Sequence, residues 1–280
     1  MKRKYRIQEY ENWNRFIRRS EKFLLSKESR NNLFWEVGPK VFSSKRNQFY
    51  VNVFSNGEII QSAILTNTDY LLLSDGTEKS ISYLTDSLIR KKIIINGILG
   101  PSDVCNYFVR FWSNYIKGNA LSDKKIFRIY ELPCKGKKPF KKEGTSLLKV
   151  GTREWPRIRL WSMDFADTSS PPISKSATVN MARGMMEKGD LYVLKLKGKS
   201  CAMGGFGRET PHIVVINMVY VPVNERHLGY ASKLTHQMSI IASQRGYHSC
   251  ILFSDYMEKD NLYLKLGCLE VGEFTEISFN

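Results

Sequence analysis

"HIVVINMVYVPVNERHLGYASKLTHQMSIIASQRG", residues 212–246, decides how the rest of the chain is read. The run from His212 to Pro222 is almost continuously apolar and β-branched, the pattern of a strand buried on both faces. Pro222 cannot donate to a ladder and ends it. Farther on, Ala231, Leu234, Met238 and Ile241 recur at helical spacing, and Gly246 stands just past Arg245 as a stop. The polar stretch "NERHLGYAS", residues 224–232, therefore joins a central strand to the start of a helix.

That position has a chemistry. The first amides of a helix have no partner within it, and the helix dipole is positive there. A phosphate group complements both. Gly229 lets backbone approach closely, Ala231 is small, and Arg226 adds charge or braces the loop. Arg-x-x-Gly-x-Ala is common by itself; its place after an apolar strand and before an amphipathic helix gives it weight.

Working outward, residues 146–280 read as an alternation of strands and helices. A short strand opens at Ser146. Thr152 is the expected cap of a helix carrying Ile158, Trp161 and Phe165, with Pro156 in its first turn. A second helix runs from a cap at Ser174 to a stop at Gly189. Strands 190–197 and 200–207 form a hairpin around "KGKS". After the 231–245 helix come a strand, "HSCILFS" (248–254), and a further helix.

The first half repeats this order. "NQFYVNVFSNGEIIQSAILTNTDYLLLS" (47–74) matches "GDLYVLKLKGKSCAMGGFGRETPHIVVI" (189–216) as strand, glycine turn, strand, polar turn, strand, with turns at Gly57 and Gly198. A helix (80–92) and a strand (93–99) follow. The interval from Leu73 to Leu84 is shorter than that from Ile216 to Leu234, and the missing piece is the "VNERHLGYA" segment. The stretch "PCKGKKPFKKEG" (133–144) lacks apolar periodicity and reads as a linker. The expected fold class is α/β with a mixed α+β sheet in each of two tandem domains. Residues 1–133 form a first domain without the loop, 134–145 a basic linker and 146–280 a second domain that carries it.

Composition bounds the partners. The chain has 280 residues, 42% hydrophobic and 25% charged, with a formal net charge of +16. These are the proportions of a globular protein, and no apolar run reaches the length of a membrane span. The N-terminal stretch is basic without the apolar core of a signal peptide, so a cytoplasmic location and no membrane partner are expected. Positive charge is spread over Lys2–Lys4, Arg15–Arg19 and residues 135–142, with no nucleic-acid motif, so nucleic acid is not expected as a partner. The five cysteines have no Cys-x-x-Cys spacing and the four histidines no metal-ligand spacing, which predicts a reducing compartment and no metal.

At the loop, the sequence resembles the Gcn5-related N-acetyltransferase (GNAT) superfamily, whose fingerprint Gln/Arg-x-x-Gly-x-Gly/Ala would be Arg226, Gly229 and Ala231. "NLYLKLGCLEVGEF" (261–274) resembles the motif that follows it. The likeness covers 146–280 and extends, as a degenerate copy, over 20–133. Two-copy members include bacterial resistance enzymes that acetylate cationic peptide antibiotics.

The resemblance implies acetyl-CoA as co-substrate. The backbone of Met218, Val219, Tyr220 and Val221 would pair with the pantetheine arm. Arg226, His227, Leu228, Gly229, Tyr230, Ala231 and Ser232 would hold the pyrophosphate. An amide near Val219–Val221 would polarise the thioester, Asn261 would steady the cofactor and Tyr263 would protonate the departing thiolate. Asn217, Asp164 and Asp167 would face the acceptor. The base is open among His212, Glu209 and a water chain. The expected function is acetyl transfer to a primary amine of a soluble small molecule or peptide, with antibiotic inactivation or self-resistance as one role. Alternatives are a protein or ribosome-associated acceptor and a non-catalytic acyl-CoA sensor. A monomer or homodimer is expected.

Overall fold

In the computed structural model, residues 5–41, 49–115, 121–137, 144–169, 173–254 and 262–279 are described. The chain runs β1 (Tyr5–Tyr10), α1 (Trp13–Leu25), α2 (Glu28–Asn31), α3 (Leu33–Val37), β2 (Tyr50–Ser55), β3 (Glu58–Leu65), β4 (Tyr70–Leu73), α4 (Glu78–Arg90), β5 (Gly97–Pro101), α5 (Ser102–Ser113) and β6 (Leu121–Pro133). It continues through β7 (Thr145–Lys149), α6 (Trp155–Thr168), α7 (Lys175–Glu187), β8 (Leu191–Leu196), β9 (Lys199–Glu209), β10 (Ile213–Tyr220), α8 (Tyr230–Gln244), β11 (Ser249–Ser254), α9 (Leu262–Lys265) and β12 (Leu269–Phe279). It divides into two compact units, Met1–Ile129 with Val271–Asn280, and Tyr130–Glu270.

The first unit is a mixed sheet in the order β1-β2-β3-β4-β5-β12. Neighbours are antiparallel except β4 and β5, which are parallel. Its core packs Val51, Val53, Leu71 and Ile98 against Ile81, Leu84 and Leu88 of α4 and Phe108 and Trp112 of α5. On the other face, α1 buries Phe16, Ser20 and Leu24 and is capped by Asn12, whose Oδ1 accepts the Arg15 N–H at 3.0 Å.

The end of α4 in this unit is closed by its own side chains. Thr77 Oγ1 accepts the Ser80 N–H and Ser80 Oγ accepts the Thr77 N–H, a capping box. Gln61 Oε1 accepts from Ser80 Oγ at 3.1 Å. A Cβ at Gly76 would lie 1.5 Å from that Oε1, so the amide side chain fills the space over the helix end. β4 and β5 stay paired through Leu72↔Leu99. Gly100 continues the close approach, since a Cβ there would meet the Leu73 carbonyl oxygen at 2.7 Å.

The second unit is a mixed sheet in the order β7-β8-β9-β10-β11, with Tyr130–Pro133 at the end of β6 beside β11. There Ser249 Oγ donates to Glu131 Oε1 at 2.6 Å and the Cys134 N–H to the His248 carbonyl at 2.9 Å. α8 packs Leu234, Met238 and Ala242 on one face, and α6 and α7 pack Ile158, Trp161, Ala182 and Met185 near Met218 and Tyr220. Gly204 leaves room for Leu234 and Met238, and Gly205 for Met185.

The expected cap at Thr152 is displaced. α6 starts after Glu154, whose carboxylate takes the Gly151 N–H at 3.4 Å and pairs with Lys195 at 3.0 Å. Lys195 holds its pKa below the usual carboxylate range. Glu154 thus stands at the N-cap position with its carboxylate taken by Gly151 and Lys195, and its side chain makes no hydrogen bond to the helix end. The Ser174 cap on α7 holds, its Oγ accepting the Ala177 N–H at 3.3 Å. Residues 93–96 precede β5 and are not strand.

Candidate active site

β10 and β11 run in parallel register only over Ile213↔Ser249, Val214↔Cys250 and Val215↔Ile251 among the described residues. On its other side β10 keeps to β9, but its register shifts between Asn217 and Tyr220. The extra residue is accommodated at Met218, which has φ +55° and a side chain buried towards α6 and α7. A bulge bends its strand and re-aims the residues that follow. Beyond Val215 the described residues of the two parallel strands no longer pair, and a cavity of about 660 Å³ opens there.

One wall is the backbone and side chains of Ile216–Val221, and Phe253 and Ser254 of β11 lie on the cavity as well. Phe165, Thr168 and Ser169 at the end of α6 bound it, as do Leu262, Tyr263 and Lys265 of α9. The remaining side is the loop: Glu225, Arg226, His227, Gly229, Tyr230, Ala231 and Ser232.

The loop is shaped by backbone angles that favour glycine. His227 has φ +63° and Gly229 φ +75°. Gly229 is the N-cap of α8 and offers no side chain to the helix end. Its carbonyl accepts the Lys233 N–H at 3.1 Å, while the amides of Gly229, Tyr230, Ala231 and Ser232 have no acceptor among the described residues. Arg226 Nε donates to the Val221 carbonyl at 3.2 Å, tying the loop back to the strand it left. Glu225 is 8% exposed and pairs with Lys199. The hydrogen bond and charge of Glu225 raise the Lys199 pKa.

Neither a family model nor a curated protein matches the chain. Solved structures do. An acetyltransferase of the GNAT family from Colwellia psychrerythraea superposes with a TM-score of 0.57 at 13% identity, covering 98% of this chain and 100% of that one. A GCN5-related N-acetyltransferase from Sphaerobacter thermophilus gives 0.57 at 11%, covering 98% and 95%. A tandem GNAT protein from the clavulanic acid biosynthesis pathway gives 0.50 at 10%, covering 99% and 98%. The fold is that of the GNAT proteins, present twice.

In this GNAT fold the second unit brings most of the sequence-predicted residues to one cavity. Asn217, Met218–Val221, Arg226, His227, Gly229–Ser232 and Tyr263 all line it. Leu228 is exposed in the same loop, 55% accessible and outside the lining. Asn261 lies outside the described residues. Tyr263 is half-buried, its ring 5.3 Å from that of Tyr130. Asn217 rests on Gly207, where a Cβ would come within 2.4 Å of Asn217 Nδ2.

The acidic candidates are engaged with other partners. Asp164 accepts from Tyr220 OH at 3.3 Å, and Asp167 pairs with Lys175 at 2.9 Å. Burial, and then Asp164, raise the Tyr220 pKa. His212 stacks on His248 with ring centroids 5.2 Å apart, and neither it nor Glu209 is on the cavity wall. Among the described residues, the carboxylate that lines the wall is Glu225. Sequence reasoning misses it because nothing but its place in the loop marks it. It also misses Phe165, Phe253 and Lys265; the glycine-rich "MGGFG", residues 203–207, is the available signal that β9 is closely approached from both faces.

No described helix is long and apolar enough to cross a membrane. Among the described residues no cluster of three His, Cys, Asp or Glu could hold a metal ion.

Proposed function

We propose that the second unit is an acetyl-CoA-dependent N-acetyltransferase acting on a primary amine of a small molecule or peptide. The observation that carries this reading is the parting of β10 from β11 just before a helix start whose amides, Gly229–Ser232, have no acceptor among the described residues. The parted edge of β10 offers backbone groups to an extended amide-bearing arm in the manner of an added strand. The amides of Gly229–Ser232 and the positive end of α8 suit a pyrophosphate. Acetyl-CoA supplies an activated thioester.

The residues divide the work as follows. Met218–Val221 align the arm, and an amide at Val219–Val221 supports the developing oxyanion. The amine nitrogen bonds to the acetyl carbon as the C–S bond breaks, the amine proton passes to solvent water, and Tyr263 gives its proton to the departing sulfur. Asn217, Thr168 at the end of α6 and Ser169 just beyond it face the acceptor. The first unit is non-catalytic: Gln61 and the Thr77–Ser80 box occupy the end of α4, and β4 and β5 remain paired there.

Titration calorimetry with acetyl-CoA, followed by thiol release in the presence of a panel of amines, tests the reading. Binding with turnover on at least one amine is expected. No binding would overturn it, and binding without turnover on any amine would replace it with an acyl-CoA sensor.

A further inference from the structure

The solvent face of α1 carries Arg15, Arg18, Arg19 and Lys22, all exposed. Their spacing of three, four and seven residues puts them in one stripe, opposite the buried Phe16, Ser20 and Leu24. Arg15 pairs with Glu11 at 2.9 Å. Among the described residues, Arg18, Arg19 and Lys22 have no carboxylate within ion-pair reach. The first turn of α1 holds no acidic residue and has an arginine at its third position, the reverse of the order that stabilises a helix.

β1 adds to the stripe. Arg6 is the cross-strand partner of Phe54. Its guanidinium lies over the Phe54 ring at 4.7 Å from the centroid, and that of Arg19 at 5.7 Å from the same centroid. One buried ring thus has two like charges within 6 Å of its centroid. The ring offsets part of their repulsion; a bridging anion removes it. Lys2, Arg3 and Lys4 directly precede β1 in sequence.

We infer that the α1 stripe with Arg6 and Arg19 over Phe54 is a docking surface for the phosphate backbone of a single-stranded nucleic acid. Successive turns of a helix place cations about 5.4 Å apart along its axis, so the stripe tracks a chain of phosphates rather than one ion. Arginine favours phosphate through its planar fork of donors. A lipid surface fits less well, because no large apolar side chain is exposed on α1 or β1 to enter it. The inference is independent of acetyl transfer.

The test is fluorescence polarisation of the full chain with a labelled single-stranded RNA of mixed sequence, between about 50 and 200 mM KCl. Arg18→Glu/Arg19→Glu/Lys22→Glu is expected to weaken binding at least tenfold at the lower salt. It should reduce the log–log salt slope by about 2, at roughly 0.7 for each phosphate that is no longer neutralised. A charge-matched control on the second unit, Arg153→Glu/Arg157→Glu/Lys188→Glu, is expected to keep most of the affinity. Equal loss in both variants overturns the inference in favour of diffuse charge. Stripe-dependent binding to phosphatidylserine vesicles without RNA binding overturns it in favour of a membrane. Should the glutamate variant misfold, Arg18→Gln/Arg19→Gln/Lys22→Gln gives the same readout with no reversed charge.

Discussion

Gly229 can be replaced without a collision, since a Cβ there meets nothing within 4 Å, yet its φ of +75° disfavours any other residue. Gly229→Glu therefore adds backbone strain of about 1 kcal/mol or more, and puts a carboxylate at the proposed pyrophosphate site. The expected outcome is a folded protein whose acetyl-CoA affinity falls by at least about a hundredfold, roughly 2.7 kcal/mol, by calorimetry. Tyr263→Phe is expected to leave that affinity within about threefold and lower kcat by about 10² or more, the scale of a lost proton donor. An unchanged kcat would remove Tyr263 from the chemistry. Gly207→Ala pushes a methyl into Asn217. It should raise KM for the acceptor while KM for acetyl-CoA holds, at a stability cost of about 1–3 kcal/mol.

Among the elements, what is legible in sequence and what is not follows from range. The hairpin around Gly198, the β10 strand and α8 announce themselves through alternation, a closing proline and a helical apolar face, all local signals. Gly229 and Ala231 can be placed at the turn into α8, the proposed pyrophosphate loop, for the same reason. The bulge at Met218 has no such signal, because a methionine with φ +55° looks in sequence like any core residue; only the pairing of β10 with β9 forces it. The sequence reading has no helix at α1, so Arg15, Arg18, Arg19 and Lys22 stand there as scattered charge until winding aligns them. The first unit shows what closed strands look like. Gly100→Ala places a methyl against the Leu73 carbonyl and is expected to cost about 1–3 kcal/mol in chemical denaturation, while acetyl-CoA binding by the native protein is unaffected.

For the molecule as a whole, alkaline pH is the informative perturbation. Burial, then a hydrogen bond to Glu209, pushes the Tyr247 hydroxyl up to about 12, and burial also raises Tyr192, Tyr220 and Tyr230. The unfolded tyrosines lose their protons near pH 10, whereas the folded ones keep theirs, so the native state binds more protons. Stability is expected to be fully present below about pH 10 and to fall as pH rises towards 12. Urea midpoints measured across that range check this, and Tyr247→Phe should flatten the fall.

The two compact units do not follow chain order: Val271–Asn280 belongs with Met1–Ile129, and Tyr130–Pro133 belongs with the second unit. A gene split at its midpoint would therefore produce two truncated products. The N-terminal fragment would lack β12 and leave β5 as a raw edge where Phe274–Ser278 now pair. The C-terminal one, if begun after the linker, would lose Tyr130 from beside Tyr263 and leave β11 uncovered. Each piece would lack a strand of its own unit. Deleting either half of the chain by a simple truncation would therefore also cut a strand out of the unit that remains.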